Sequence, residues 1–244
     1  MTGPATAMVL AAGLGTRMRP LTDDRPKALV EVAGKALIDH MLDRLAEAGV
    51  ERAVVNVHYF ADRLEAHLMA RRGLPAIVIS DERAAPLETG GGVRHALPLL
   101  GTDAIWVANI DSVWIERDAS ALARLADAWD PGAMDVCLML ASTSTSLGFH
   151  DTGDVFLRPD GRLRFKQPDE VAPLVYVGVH IAKPSVVGGQ PDGAFSLLPI
   201  WRELAERGRI FGVAPSGQWM HVGDPAARDL AEARLAHAPS YPAI

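Results

Sequence analysis

The sequence predicts an α/β fold in which helices cover both faces of a doubly wound, mostly parallel sheet. Strand-like and helical segments alternate along the first half of the chain, and the strand-like runs are mainly apolar, as expected for strands buried on both faces. A chain of 244 residues with 49% hydrophobic content can bury one substantial core. We therefore expect a single domain over residues 1–244, built as an α/β/α sandwich.

The first elements follow this alternation. The run AMVLAAG is short, apolar and closed by glycine, which is typical of a buried parallel strand. In ALIDHMLDRLAEAG, apolar residues recur at helical spacing and Gly49 is expected to end the helix. The next segments predict a strand at RAVVNVH, a helix over 61–71 and a strand at AIVISD.

The later elements predict a mixed sheet. A helix is expected over 92–100, a strand at AIWVANID, a helix over 120–129 and a strand at DVCLMLA. Beyond Ser142 the pattern changes, because DVFLRPDGRLRF predicts a hairpin and LVYVGVHIA predicts another strand. Right-handed crossovers place ligands of such sheets at the carboxyl ends of the strands. The last residues, 238–244, are expected to be frayed.

Composition excludes several classes of function. The formal net charge is −6 with both signs interspersed, so an anion must be bound by a local pocket and nucleic acid is not expected as a partner. No apolar run reaches the ~18 residues needed to cross a bilayer, and no positive charge precedes the apolar start of the chain. Cys137, the one cysteine, lies in an apolar run and is expected to be a buried structural thiol. We expect a cytoplasmic protein.

A glycine-rich loop follows the first strand. The segment LAAGLGTRM has Met18 where a dinucleotide-binding fingerprint needs a third glycine, and it is not a phosphate loop of the Gly-x4-Gly-Lys type. Glycine allows a ligand to approach the backbone closely, loop amides can face phosphate oxygens, and Arg17 adds a fork of donors, with Lys27 ten residues later. The pattern therefore indicates a polyphosphate site, and the alternative is a surface turn with solvated arginines.

The segments LAAGLGTRMRPLT and PKALVEVAGKALIDHMLDRLAEAG resemble the signature of the sugar-1-phosphate nucleotidyltransferases. The resemblance extends to about Arg234 and implies a Rossmann-like nucleotidyltransferase fold. It implies a catalytic role for Arg17 and Lys27, which would stabilise the departing pyrophosphate and contact the reacting phosphates. The nucleotide-binding residues that it implies in this loop are Ala11, Ala12, Gly13, Gly15 and Thr16.

The chemistry implied by this resemblance agrees with the residue content. The phosphate oxygen of a sugar 1-phosphate is already anionic, so it can attack the α-phosphorus without a strong general base. The protein must then align the substrates and neutralise their charge. No Ser-His-Asp or Cys-His pattern is found, and the eight histidines show no zinc spacing.

A divalent cation, Mg²⁺ or alternatively Mn²⁺, is expected because triphosphates need a hard cation bound through oxygen. Asp111 follows the strand AIWVANID and resembles the family's metal-binding aspartate, with a turn or capping role as the alternative. Near the C-terminus the family usually has Trp-x-Asp-x-Gly, whereas this chain reads WMHVGD. Three arrangements stay open, namely His221 as the ligand, Asp224 as its substitute, or water.

Base and sugar contacts are implied by other segments. PLETGGG resembles the segment that borders the nucleobase, where Gly91 is implied as a backbone contact, and Glu88 either contacts the base or orders the loop. Asn109 faces the same side as Asp111 and is expected to contact sugar. Segments around Asp154 and Gly178 resemble the short uridylyltransferases that act on N-acetylmuramic acid 1-phosphate in bacterial cell-wall recycling.

Several functions stay open at this point. Mannose-1-phosphate guanylyltransferases resemble the first half of the chain nearly as well. A noncatalytic nucleotide-sugar sensor on the same fold is a second option, and a dinucleotide oxidoreductase is disfavoured by the missing glycine. The partners expected are a nucleoside triphosphate and a sugar 1-phosphate. The sequence does not determine the oligomeric state, and a monomer is compatible with it.

Overall fold

A computed structural model describes residues 3–237 of the chain. The segment expected to be frayed, 238–244, lies outside the described residues. In chain order the strands are β1 (Thr6–Leu10), β2 (Glu31–Val32), β3 (Lys35–Ala36), β4 (Arg52–Val57), β5 (Ala76–Asp81), β6 (Ile105–Asn109), β7 (Ser112–Glu116), β8 (Val136–Ser142), β9 (Val155–Leu157), β10 (Leu163–Phe165), β11 (Leu174–Ala182), β12 (Ile210–Val213) and β13 (Gly217–His221). The α-helices are α1 (Leu37–Glu47), α2 (Ala61–Ala70), α3 (Glu88–Leu100), α4 (Ala121–Ala128), α5 (Leu198–Glu206) and α6 (Pro225–Ala236).

The central sheet has nine strands in the order β10-β9-β11-β6-β1-β4-β5, with β8 pairing to β11 and β12 pairing to β8. The block β6-β1-β4-β5 is parallel throughout. From β11 onward antiparallel pairs dominate, and β11 lies antiparallel to β6. This confirms the predicted α/β fold with a mixed sheet. The antiparallel part is larger than the sequence pattern indicated.

Helices cover both faces of this sheet. On one face, buried residues of α1, α2 and α4 such as Met41, Leu64 and Leu122 join one apolar cluster. On the other face, α3 and α5 contribute Ala96 and Trp201 to a second cluster. The predicted sandwich is therefore confirmed. None of the helices within residues 3–237 is long and apolar enough to span a membrane.

Cys137 lies on β8 with no exposed surface, which confirms the expected buried thiol. Burial raises the pKa of this thiol to about 12, because the thiolate would have no water around it.

The sequence pattern did not predict several strands and helices of the structure. The ribbon formed by β7 and β13 pairs Ser112 with His221 and Trp114 with Trp219, and it brings the C-terminal part of the chain next to the end of β6. The pair β2 and β3, the strand β12 and the helices α5 and α6 were also not predicted, and α3 begins at Glu88 instead of residue 92. The β7–β13 ribbon matters most, because it carries His221 to the carboxyl edge of the sheet.

Candidate active site

Polar side chains meet at the carboxyl edge of the parallel block, where β1, β4, β5 and β6 end. A cavity of about 380 Å³ opens at this edge. It is lined by predicted site residues from the loop after β1 and from the ends of β6 and α3: Ala11, Ala12, Gly13, Gly15, Thr16, Arg17, Lys27, Glu88, Asn109 and Asp111. Apart from Gly91, the structure thus brings the predicted nucleotide-binding, catalytic and metal residues of the first half of the chain to one place.

The loop after β1 is held in shape by its own hydrogen bonds. Gly15 has φ 64°, in the left-handed region that favours glycine, and its carbonyl accepts a hydrogen bond from the buried hydroxyl of Thr22 at 2.8 Å. A Cβ on Gly13 would meet no atom within 4 Å, so the backbone there is open to a ligand. The loop therefore has the shape and the access that a phosphate site requires.

Ala11 and Ala12 line the cavity in a different way from the one expected. Their amides donate to Asn56 Oδ1 at 2.6 and 3.1 Å. Because these donors are already used, the amides of Ala11 and Ala12 anchor the loop to β4, and the backbone available to phosphate begins at Gly13. Asn56 was not singled out in the sequence, although a polar residue near the end of a buried apolar strand could have pointed to it.

Lys27 and Asp111 form an ion pair across the cavity floor. Lys27 Nζ lies 2.7 Å from Asp111 Oδ2, and the two side chains are only 12% and 19% exposed. Burial alone would raise the pKa of Asp111, but the charge of Lys27, followed by that of His221, outweighs it and holds that pKa below its usual value. Asp111 therefore stays ionised at neutral pH, as a cation ligand must.

A second cavity of about 260 Å³ adjoins the first and contains the predicted sugar contacts. Arg17, Asn109 and Asp111 line both cavities. The second is lined in addition by Asp154, Tyr176, Gly178 and His221. The two cavities therefore share a boundary at Arg17 and Asp111, where a group could be transferred from a ligand in one to a ligand in the other.

The second cavity is shaped by a break in β11. The register of β11 shifts between Tyr176 and His180, and Gly178 there has φ 85°. A Cβ on Gly178 would lie 3.1 Å from the side chains of both Asn109 and Ser112. Asp154 is fixed by the amide of Tyr176, which donates to its Oδ2 at 2.9 Å. Burial raises the pKa of Asp154.

Of the two candidate metal ligands near the C-terminus, His221 lines a cavity and Asp224 caps a helix. His221 lines the cavity with Asp111, and its ring covers Gly223, where a Cβ would come within 2.5 Å of Nε2. Burial lowers the pKa of His221, although Asp111 acts in the opposite direction. Asp224 instead caps α6 by accepting from the amide of Ala227 at 2.8 Å, and it lines neither of the two cavities. Of the two candidates, His221 is the one that shares a cavity with Asp111.

The residues of the site fit a cation whose ligands are mainly phosphate oxygens of a substrate. Within residues 3–237, no three carboxylate, imidazole or thiol side chains form a ready metal cage. Mg²⁺ is commonly held by one or two carboxylates together with the phosphates of the substrate and water. One ionised carboxylate on Asp111 beside an open phosphate loop matches this donor set.

Comparison with known proteins identifies the family. A model of the MobA-like NTP transferase domain matches residues 7–178. The chain belongs to this family. It is 71% identical to the N-acetylmuramate alpha-1-phosphate uridylyltransferase of Caulobacter vibrioides, over 96% of this chain and 98% of that protein. The protein of the same name from Neisseria meningitidis is 36% identical over 89% and 92% of the two chains. The sequence resemblance to sugar-1-phosphate nucleotidyltransferases is therefore confirmed.

A solved structure shows the same fold for this MobA-like transferase. The UDP-glucose pyrophosphorylase that was crystallised with UDP-glucose superposes with a TM-score of 0.77 at 17% identity, over 95% of this chain and 98% of that one. This likeness confirms the Rossmann-like nucleotidyltransferase fold.

One predicted contact of this transferase lies outside the cavities. The Gly91 amide donates to the carbonyl of Phe195 at 3.1 Å, and a Cβ on Gly91 would lie 2.1 Å from the carbonyl oxygen of Gly193. Gly91 therefore allows close packing of two chain segments, and its amide is already used, while the expected backbone contact to a base stays a prediction. Glu88 lines the first cavity, at the start of α3.

Proposed function

We propose that this chain transfers UMP from UTP to N-acetylmuramic acid 1-phosphate, giving a UDP-sugar and pyrophosphate. The observation that carries the proposal is 71% identity, over nearly the full length of both chains, to a protein that bears this activity in its name. The joined pair of cavities supports it, since one can take the nucleotide and the other the sugar phosphate.

The transfer requires alignment more than acid-base chemistry. An oxygen of the sugar phosphate attacks the α-phosphorus of UTP, a new P–O bond forms, and the bond from the α-phosphorus to the bridging oxygen breaks to release pyrophosphate. Arg17 lies at the boundary of the two cavities, where its guanidinium can stabilise charge that develops on the phosphates. Lys27 lines the first cavity with Arg17, pairs with Asp111 and supplies a second positive charge.

We propose Mg²⁺ as the cation, with Asp111 as its carboxylate ligand and His221 as the neighbouring side chain. When bound, it would neutralise phosphate charge and orient the triphosphate. Asp111 would hold it at the boundary of the cavities, and Lys27 would then be free to contact phosphate.

Guanylyl transfer to mannose 1-phosphate is the alternative within the same chemistry. Two relatives at 71% and 36% identity share the uridylyltransferase name, which favours UTP. A noncatalytic sensor is disfavoured because Arg17, Lys27 and Asp111 all lie where transfer would need them.

The proposal is tested by pyrophosphate release from each common nucleoside triphosphate, crossed with the 1-phosphates of N-acetylmuramic acid, N-acetylglucosamine, glucose and mannose. We expect the highest kcat/KM for UTP with N-acetylmuramic acid 1-phosphate. A higher value for GTP with mannose 1-phosphate would replace the proposal by its alternative, and binding without turnover for every pair would indicate a sensor.

A further inference from the structure

The sugar phosphate proposed above carries a second anionic group that the residues described so far do not match. N-acetylmuramic acid 1-phosphate has its phosphate on C1 and, on the oxygen of C3, a lactyl group that ends in a carboxylate. Among the described residues that line the second cavity, Arg17 is the one guanidinium or ammonium group, and it lies at the boundary where the phosphates would meet. Asp111 and Asp154 line the same cavity. A sugar with its own carboxylate would therefore be repelled unless a further cation lies near.

Lys166 supplies such a cation beside Asp154. Strands β9 and β10 pair antiparallel with Val155 opposite Phe165, and one residue further on the amide of Lys166 donates to the carbonyl of Asp154 at 2.9 Å. Lys166 and Asp154 therefore lie opposite each other, and their side chains start on the same face of the pair. The charge of Lys166 acts to lower the pKa of Asp154, against the larger effect of burial. The Lys166 ammonium is thus within electrostatic reach of the wall of the second cavity that Asp154 forms.

The contacts of Lys166 leave it able to take a carboxylate from a ligand. Its Nζ donates to the hydroxyl of Thr152 and lies 3.7 Å from Oδ1 of Asp151, whose side chain is 75% exposed. An ammonium has three donors, so a neutral hydroxyl and a long ion pair to a solvated carboxylate do not use them all. The Lys166 side chain is 23% exposed. A pair formed there would be less screened by salt and water than one on the open surface.

We propose that Lys166 pairs with the lactyl carboxylate of N-acetylmuramic acid 1-phosphate and thereby selects this sugar over hexosamine 1-phosphates that lack the group. The inference rests on the proposed function. With the phosphate held at Arg17 and Asp111, the sugar ring would extend through the second cavity toward Asp154. The lactyl group projects from the ring at C3, so its carboxylate can reach the residue opposite Asp154. A sugar without that group leaves Lys166 on its contacts to Thr152 and Asp151 and gains nothing from it.

The test compares wild type with Lys166→Met, which keeps most of the side-chain length and removes the charge. The two substrates are the 1-phosphates of N-acetylmuramic acid and N-acetylglucosamine, which differ only in the lactyl group, each with saturating UTP. We expect the kcat/KM for N-acetylmuramic acid 1-phosphate to fall about 10- to 100-fold, mainly through KM, because a hydrogen bond between charged groups is lost. The value for N-acetylglucosamine 1-phosphate and the KM for UTP should hardly change.

A second measurement changes the substrate and leaves the protein intact. An N-acetylmuramic acid 1-phosphate whose lactyl carboxylate is converted to a neutral carboxamide should be a poorer substrate of wild type by a similar factor, about 10- to 100-fold. Lys166→Met should use the acid and the amide equally well. Calorimetric affinities for UDP-N-acetylmuramic acid and UDP-N-acetylglucosamine give the same comparison where turnover is too slow to measure.

The matched control is Arg158→Ala, which removes one positive charge from the turn of the same hairpin. Arg158 is exposed, and its amide donates to the carbonyl of Arg162 at 2.9 Å across that turn. This variant should behave as wild type with both sugars, since net charge alone is not the cause. An equal fall for both sugars in Lys166→Met would show that Lys166 acts on a part that they share, and that result would overturn the inference. So would unchanged values for both sugars.

Failure of the proposed function gives a different result. If wild type released pyrophosphate from UTP with neither sugar phosphate, the proposed function would fail. The calorimetric affinities would then still decide the role of Lys166. A loss in Lys166→Met that is confined to UDP-N-acetylmuramic acid would support it, and equal affinities in wild type and variant would refute it.

Discussion

At the residue scale, Arg17 offers the cleanest test of the transfer site. Its side chain is exposed at the boundary of the two cavities, so removing it should not disturb the core. We expect Arg17→Ala to lower kcat by about 10²–10³, the usual cost of losing one donor that stabilises developing charge. Arg19→Ala is the matched control, because Arg19 is exposed in the same loop and forms an ion pair with Asp23 at 3.6 Å.

Stopped-flow or coupled measurement of pyrophosphate release, with thermal unfolding of each variant, checks this expectation. Both variants should keep the wild-type melting temperature within about 2 °C, since exposed substitutions change stability little. A kcat for Arg17→Ala as high as that for Arg19→Ala would remove Arg17 from the catalytic machinery.

The second prediction at the residue scale concerns His221, which stands where the family usually has an aspartate. A neutral imidazole suits Mn²⁺ better than Mg²⁺, which prefers oxygen ligands. If His221 ligates the cation, we expect His221→Asp to lower the ratio of Mn²⁺-supported to Mg²⁺-supported turnover. Steady-state rates across a concentration series of each metal measure this ratio, and identical metal profiles in both proteins would contradict ligation by His221.

At the element scale, the break in β11 is what shapes the sugar side of the site. Gly178→Ala would place a Cβ 3.1 Å from Asn109 and Ser112 on a backbone at φ 85°, so we expect a loss of about 1–3 kcal/mol of stability and a raised KM for the sugar phosphate. Gly189→Ala is the control, since a Cβ there meets no atom within 4 Å.

Thermal unfolding together with KM values for both substrates distinguishes the two glycines. The KM for UTP should change less than the KM for sugar phosphate in Gly178→Ala. Equal behaviour of the two alanine variants would show that the break in β11 does not shape the sugar cavity.

The elements differ in how far the sequence could predict them. Mainly apolar runs such as AMVLAAG and AIWVANID predicted β1 and β6, because a strand buried on both faces needs no polar alternation. The β7–β13 ribbon was missed because its two strands pair across a long stretch of chain, and no local pattern records that pairing. The same limit applies to Glu82, which lines the first cavity and pairs with Asn56 of a different strand.

The site was predicted best where the motif is continuous in the chain. Gly13, Gly15, Arg17 and Lys27 fall within one short segment, and all of them line the nucleotide cavity. Gly91 is less certain from its motif, because a glycine that serves packing and a glycine that serves a ligand look alike in sequence. Only the contact with Gly193 separates the two uses.

At the scale of the whole molecule, buried histidines should make the fold sensitive to mild acid. Burial lowers the pKa of His180 to about 3, and it also lowers the pKa values of His40 and His221. His180 is 1% exposed and its Nδ1 lies 2.7 Å from the hydroxyl oxygen of Tyr176. Burial therefore keeps its ring neutral in the folded protein. The unfolded chain takes up a proton on this histidine near pH 6.5, whereas the folded chain does not until about pH 3.

Because the unfolded state binds more protons across that window, the free energy of unfolding should decrease as pH falls below about 6.5. For His180 alone the expected loss at pH 5 is about 2 kcal/mol. Asp135 adds a loss of stability at lower pH, since hydrogen bonds from Arg209 hold its pKa at about 2 and its contribution declines as pH falls below its unfolded value of about 4.

Urea unfolding at pH 8 and pH 5 measures the loss of stability that we assign to His180. The free energy of unfolding should decrease in wild type and in His150→Gln, which removes an exposed histidine. It should decrease less in His180→Gln. If His180→Gln lost as much stability between the two pH values as His150→Gln, proton uptake by His180 would not be the cause.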